Sequence, residues 1–115
     1  MEPLEYAERR DIDAKGFAKA GVYARFIGKL KNYKRIIEVG CGTGESTLAL
    51  LKEGHFVVAI DVNEACISMT REKLLTSGYK DKSDFILLSG NFYSPYIQNV
   101  CTSQSSLCSF CGSCS

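Results

Sequence analysis

Acidic and amide side chains that could bind a ligand stand at three points of the chain, two of them beside glycines. Glu38 opens the stretch E-V-G-C-G-T-G at residues 38–44, Asp61 closes an apolar run, and Asn91 follows a serine and a glycine. Glycines allow sharp turns and let a ligand approach the main chain, while a carboxylate can accept hydrogen bonds from both hydroxyls of a ribose. The spacing of about twenty residues between the glycines and Asp61 is typical of a nucleotide-binding site.

Short strands and helices alternate around these residues. The predicted elements are strand Arg35–Val39, helix Glu45–Glu53, strand His55–Ile60, a helix capped by Asn63 that stops at Ser77-Gly78, and strand Asp84–Leu88. Continuous apolar runs such as the second strand are typical of parallel strands that are buried on both faces. A β-α-β-α-β order predicts an α/β fold, a Rossmann-like parallel sheet with flanking helices.

The first thirty residues predict a helical segment. Apolar residues recur at three- and four-residue spacing from Ile12 to Leu30, which predicts an amphipathic helix over that range. The aromatic residues of this region (Tyr6, Phe17, Tyr23 and Phe26) could form a lid over a substrate. Packing against the core is the more frequent role of aromatic residues at helical spacing.

The stretch from Glu38 to Gly44 resembles the first motif of class I S-adenosylmethionine (SAM) dependent methyltransferases, E/D-x-G-x-G-x-G. The resemblance covers roughly Ile36 to Phe92, and three motifs agree in spacing. It implies that Glu38 orients the methionine amino group and that Asp61 binds the ribose hydroxyls. The implied loop under the methionine moiety is formed by Gly40, Cys41, Gly42 and Gly44.

The end of the third strand also resembles this family, in which Gly-Asp is usual. Here Asn91 stands in place of the aspartate, so an acceptor oxygen is kept and the charge is lost. The resemblance implies that the Asn91 side chain contacts the adenine amino group and that the backbone N–H of Phe92 reaches a ring nitrogen. The implied cofactor is S-adenosyl-L-methionine, and the implied activity is methyl transfer to an unidentified acceptor.

Two other interpretations of the glycine loop stay open. The NAD fingerprint G-x-G-x-x-G/A would need glycine or alanine where Glu45 stands, and an acidic residue at a helix start would repel a diphosphate. The loop could also belong to an unrelated α/β protein. Cys41 could be a nucleophile at a helix N-terminus, but a spacer is the simpler interpretation, and His55 is expected near the surface with no catalytic role.

Composition places limits on the partners. The chain has 115 residues, 45% of them hydrophobic, and a net charge of +1, which gives no electrostatic argument for nucleic acid. Its apolar runs are too short to span a bilayer, and Met1-Glu2-Pro3 does not resemble a signal peptide. These features predict a cytoplasmic protein, and together with the resemblance they favour a small-molecule substrate.

The chain changes character after Asp84, because no charged residue follows and serine and cysteine dominate from Cys101. We expect residues 1–33 to form a helical segment, 34–97 the SAM-binding core, and 98–115 a disordered or non-native tail. A set of four cysteines (Cys101, Cys108, Cys111 and Cys114) could instead bind a metal, although the spacing is unusual for zinc.

Only three strands are recognisable in the sequence, so the sheet is expected to be truncated after the third. In the family's strand order the first strand would then be an unpaired edge, which invites self-association. The chain could accordingly be a cofactor-binding or inactive fragment of a methyltransferase.

Overall fold

The computed structural model describes residues 2–19, 21, 25, 27–103 and 108–112. Its elements, in chain order, are α1 (Pro3–Lys19), a short 3-10 helix (Gly28–Leu30), β1 (Arg35–Val39), α2 (Glu45–Lys52), β2 (Phe56–Asp61), α3 (Glu64–Thr76), β3 (Phe85–Ser89), α4 (Pro95–Ser103) and β4 (Cys108–Gly112). Within the described residues, no helix combines the length and the apolar character that crossing a membrane requires.

The strands form one parallel sheet in the order β3-β2-β1-β4. The predicted Rossmann-like fold class is therefore confirmed. Strands β1, β2 and β3 and helices α2 and α3 lie within one or two residues of their predicted bounds. Asn63 caps α3 as expected, because its side-chain oxygen accepts hydrogen bonds from Ala65 N at 2.9 Å and Cys66 N at 3.2 Å.

Apolar residues on both faces of the sheet bury it between helices. On one face, Ile36, Val57 and Phe85 pack with residues of α2 and α3. On the other face, Ile37, Val58 and Leu88 pack with Ile97 of α4. Because successive residues of a strand point to opposite faces, the run from Val57 to Ile60 is buried throughout, as a central parallel strand should be.

The predicted helix Ile12–Leu30 is wrong in both bounds. Helix α1 begins at Pro3 and ends at Lys19, and the 3-10 helix Gly28–Leu30 is separate from it. Gly21 has a φ of 77°, a left-handed conformation that ends a helix. Three residues of the predicted apolar stripe (Ala20, Tyr23 and Ala24) and Phe26 of the predicted lid lie outside the described residues.

The expected open edge at β1 is also wrong. Residues 108–112 form β4, which pairs in parallel with β1 from Arg35↔Cys108 to Val39↔Gly112. The range expected to be a disordered or non-native tail, 98–115, thus contains the end of α4 and all of β4. Of the four cysteines considered as metal ligands, Cys101 lies in α4, Cys108 and Cys111 lie in β4, and Cys114 lies outside the described residues.

Candidate cofactor site

The carboxyl ends of β1, β2 and β3 meet at one edge of the sheet, and backbone hydrogen bonds hold them together. The N–H groups of Gly40 and Cys41 donate to Ile60 O at 2.7 and 3.0 Å, and Gly90 N–H donates to Asp61 O at 2.9 Å. The three motifs found in the sequence are thereby brought into one place. Such an edge is where open α/β sheets bind their ligands.

Asp61 connects the loop after β1 with the loop after β2. Its Oδ2 accepts a hydrogen bond from Gly42 N–H at 2.9 Å, and its Oδ1 accepts one from Asn63 N–H at 2.9 Å. The side chain is only 6% exposed, yet it lines the cavity at the sheet edge. Each carboxylate oxygen can accept a second hydrogen bond, so Asp61 can hold the loops and bind a ligand hydroxyl together.

The loop from Gly40 to Gly44 takes a conformation that favours glycine. Gly42 and Gly44 have φ values of 59° and 93°. Thr70, fully buried on α3, donates its hydroxyl to Gly42 O at 3.0 Å and fixes the loop from below. The backbone N–H groups of the loop are therefore held at the start of α2, where the partial positive charge of a helix N-terminus lies.

Glu38 lies beneath the loop and is fully buried. Its two carboxylate oxygens accept hydrogen bonds from the hydroxyls of Ser46 and Thr47, both in the first turn of α2. Burial raises the pKa of Glu38 from 4.5 to about 7, and the charge of Asp61 adds to this, against the two hydroxyl hydrogen bonds. Glu38 thus ties the end of β1 to α2 and does not line the cavity.

A cavity of about 210 Å³ opens at this edge. Its walls combine apolar side chains, backbone and one charged residue of each sign: Tyr6, Arg10, Val39, Gly40, Ile60, Asp61, Val62, Gly90 and Phe92. The acid comes from β2 and the base from α1. A ligand with an apolar ring, hydroxyl groups and charges of both signs matches such a lining.

Comparison with known proteins identifies the family. Residues 36–95, more than half of the chain, match the family described as "Methyltransferase domain". The chain belongs to that family. The structure of a Podospora anserina methyltransferase bound to SAH is similar, with a TM-score of 0.59 at 25% identity over 78% of this chain and 40% of that one. The resemblance to class I SAM-dependent methyltransferases is thereby confirmed.

Two curated proteins show the extent of the match. One, named as a methyltransferase of Geobacillus sp., is 44% identical over 50 residues, which are 39% of this chain and 20% of that protein. The other, from Methanocaldococcus jannaschii, is named a probable cobalt-precorrin-6B C(15)-methyltransferase and is 35% identical over 65 residues, which are 55% of this chain and 36% of that protein. The matches therefore span about a fifth and about a third of these relatives.

The remaining residues of the methyltransferase motifs differ in whether they line the cavity. Phe92 lines it, whereas Asn91 is exposed and its Oδ1 accepts a hydrogen bond from Tyr93 N–H at 2.8 Å. Cys41 is buried, and burial raises the pKa of its thiol well above the ordinary value. This favours the interpretation of Cys41 as a spacer, because only a thiolate is a good nucleophile.

One expectation about a polar residue needs correction, and another polar residue has a partner that the sequence does not indicate. His55 is buried, not near the surface, and its Nδ1 lies 2.6 Å from Tyr33 O, to which it donates. It therefore helps to join β2 to the segment before β1. Glu45 forms an ion pair with Lys73 of α3, with Oε2 3.0 Å from Nζ. This ion pair partly neutralises the negative charge of Glu45 at the start of α2.

Sequence reasoning missed the residues that reach the site from other elements. Tyr6 and Arg10 come from α1, whose start was placed too late, although Pro3 at the first helical position is a recognised start signal. The aromatic spacing favours Tyr6 for a lid, whereas no motif in the sequence indicates Arg10. Thr70 lies far along α3, and its contact with the loop follows only from the packing of α3 against α2.

Proposed function

We propose that this chain binds S-adenosyl-L-methionine and serves methyl transfer to a small-molecule acceptor. The observation that carries the proposal is the placement of Asp61, which lines the cavity while both of its oxygens stay fixed by the N–H groups of Gly42 and Asn63. A carboxylate held in this way is preorganised to accept ribose hydroxyls. The family membership given by residues 36–95 supports the same cofactor.

Different residues of the chain would bind different parts of the cofactor. Asp61 would bind the ribose, the loop from Gly40 to Gly44 would face the methionine moiety, and Phe92 would border the adenine. When bound, SAM supplies a methyl group already activated on a sulfonium, so the protein mainly has to orient the acceptor and exclude water. Glu38, buried under the loop, would act by positioning it and not by touching the ligand.

Binding of the cofactor without catalysis is the second candidate. The observation in its favour is that the described cavity residues all lie in α1 or in the segments around the cofactor motifs. Incubation with SAM and a panel of small-molecule acceptors, followed by measurement of SAH formation, separates the two candidates. Turnover supports the enzyme, and saturable binding without turnover supports the second candidate.

Asp61→Ala is expected to weaken binding of SAM and SAH by roughly ten- to a hundredfold, because charge-assisted hydrogen bonds to the ribose are lost. Isothermal titration calorimetry of the unaltered chain and of Asp61→Ala with both ligands measures the change. Asp13→Ala, at an exposed position of α1, is the matched control and should bind like the unaltered chain.

A parallel titration with NADH tests the nicotinamide interpretation. Saturable NADH binding with no response to SAH would contradict the proposed cofactor. An Asp61→Ala variant that is folded by circular dichroism and still binds SAH with unchanged affinity would contradict the assigned role of Asp61.

A further inference from the structure

Arg10 lies directly on the glycine loop. Its Nη2 atom is 2.8 Å from the point where a Cβ on Gly42 would stand, so the guanidinium occupies the space that the missing side chain leaves. Arg10 is also the single cationic residue among the described residues that line the cavity. The side chain thus faces the part of the loop that, under the proposed function, lies against the methionine moiety.

Tyr6 holds the guanidinium in this position. Arg10 Nη1 donates a hydrogen bond to Tyr6 Oη at 2.6 Å, and Arg10 Cζ lies 5.4 Å from the centroid of the Tyr6 ring. The two residues are four apart on α1, a spacing that places side chains on one helix face. A guanidinium has five N–H donors in a planar fork, so donors remain for a ligand after Tyr6 has accepted one.

Polar contacts at both ends of this part of α1 hold the helix against the neighbouring elements. Asp11 Oδ1 lies 2.6 Å from Lys73 Nζ, and the same Nζ lies 3.0 Å from Glu45 Oε2, which connects α1, α3 and α2. The side chains of these three residues are only 15–16% exposed. Asn63 Nδ2 also donates to Pro3 O at 3.3 Å. The helix that carries Arg10 is therefore fixed to the elements that carry the loop.

The positive charge of Arg10 matches the carboxylate at the amino acid end of the cofactor. The methionine part of SAM carries an ammonium and a carboxylate, and a guanidinium is the side chain best shaped to bind a carboxylate through two parallel hydrogen bonds. We propose that Arg10, positioned by Tyr6, binds the carboxylate of the cofactor's methionine moiety. This inference rests on the proposed function. The cavity volume of about 210 Å³ is below the range of roughly 300–1,000 Å³ for ligand pockets, so we expect side chains at its rim to adjust when the cofactor binds.

The test compares two ligands that differ in the amino acid end. SAH carries the carboxylate, whereas 5′-methylthioadenosine keeps the adenosine and the thioether without it. Arg10→Gln is expected to weaken SAH binding roughly ten- to a hundredfold, as for a lost hydrogen bond to a charged group, and to change the affinity for 5′-methylthioadenosine less than about twofold. Calorimetric titration of both ligands gives the two ratios. Arg10→Lys should recover part of the SAH affinity because the charge is kept.

Matched variants separate the proposed contact from general effects. Arg9→Gln removes the same charge from an exposed neighbouring position and should bind both ligands as the unaltered chain does. Tyr6→Phe keeps the ring and removes the hydroxyl, so it should weaken SAH binding several-fold and leave 5′-methylthioadenosine unaffected.

Three results would overturn the inference. An equal loss for both ligands in Arg10→Gln would give Arg10 a purely structural role on α1. Tighter SAH binding in that variant would mean that Arg10 competes with the cofactor for the loop. Unchanged SAH binding would mean that the carboxylate lies elsewhere. Failure of the unaltered chain to bind either ligand would instead contradict the proposed function itself.

Discussion

Gly44→Ala is expected to lower the free energy of unfolding by about 2–5 kcal/mol. Gly44 has a φ of 93°, and an L-residue in a left-handed conformation costs roughly 1–2 kcal/mol. A Cβ at this position would lie 2.8 Å from Cγ2 and 3.0 Å from Oγ1 of Thr70, and overpacking of this kind costs roughly 1–3 kcal/mol more. Thr70 is fully buried and hydrogen-bonded to Gly42 O, so it cannot move aside freely. Urea denaturation measures the change.

Gly78→Ala is the matched control for this prediction. Gly78 has the same φ of 93°, but a Cβ there would meet nothing within 4 Å. Its cost should therefore be limited to the backbone conformation, roughly 1–2 kcal/mol. Adding Thr70→Ser to Gly44→Ala removes Cγ2, keeps the hydroxyl, and should recover part of the loss. Equal destabilisation by Gly44→Ala and Gly78→Ala would show that the contact with Thr70 does not matter.

The loop, the strands and the cap at Asn63 could be predicted because their signals are local. Glycines, β-branched runs and a capping residue act within a few positions, and the parallel topology then brings Glu38, Asp61 and Gly90 to one edge. The role of each residue depends less on its neighbours in the sequence and more on the residues that pack around it. Glu38 matches a motif for a ligand-binding acid, yet the hydroxyls of α2 surround it, which only the packed structure reveals.

Helix α1 shows why periodicity alone misplaced part of the site. The helix exposes Leu4 by 57% and Ile12 by 71%, and Ala7 is its buried apolar residue among those described. Its position depends on ion pairs such as Asp11–Lys73, between residues sixty-two apart in the chain. An apolar stripe is therefore a poor guide to this helix, and Arg10 could not be assigned to the cavity without the tertiary contacts.

The sequence did not predict strand β4, for a different reason. The serine- and cysteine-rich composition of residues 101–115 is typical of low-complexity sequence and gives no local signal for a strand. Pairing with β1 stabilises this strand. The pairing satisfies backbone groups that would otherwise be exposed at the edge of the sheet. The sheet edge on this side is therefore β4, so the predicted self-association through an exposed edge would involve β4 and not β1.

The stability of the chain is expected to fall as pH rises from 4.5 to 7, with Glu38 as a main cause. Burial raises the pKa of Glu38 to about 7 in the folded protein, against 4.5 for the free group. Between these values the unfolded chain has released the proton and the folded chain still holds it, so raising the pH favours unfolding. The contribution of Glu38 to this fall is about 3 kcal/mol and is complete above pH 7.

Glu38→Gln isolates this contribution, because glutamine has nearly the same shape and stays neutral. Its amide can still exchange hydrogen bonds with the Ser46 and Thr47 hydroxyls, which are free to rotate. Unfolding by urea at several pH values should show the two chains similar in stability near pH 4.5. At pH 8 the variant should be more stable by about 3 kcal/mol.

Glu72→Gln, at an exposed position of α3, is the control and should follow the pH curve of the unaltered chain. Taking the difference between Glu38→Gln and the unaltered chain cancels all other titrating groups. Parallel curves for these two would mean that Glu38 does not change its proton affinity on folding. A difference of opposite sign would mean that the hydroxyls of Ser46 and Thr47 stabilise the ionised carboxylate more than burial destabilises it, and would make Glu38 a permanent negative charge beneath the loop.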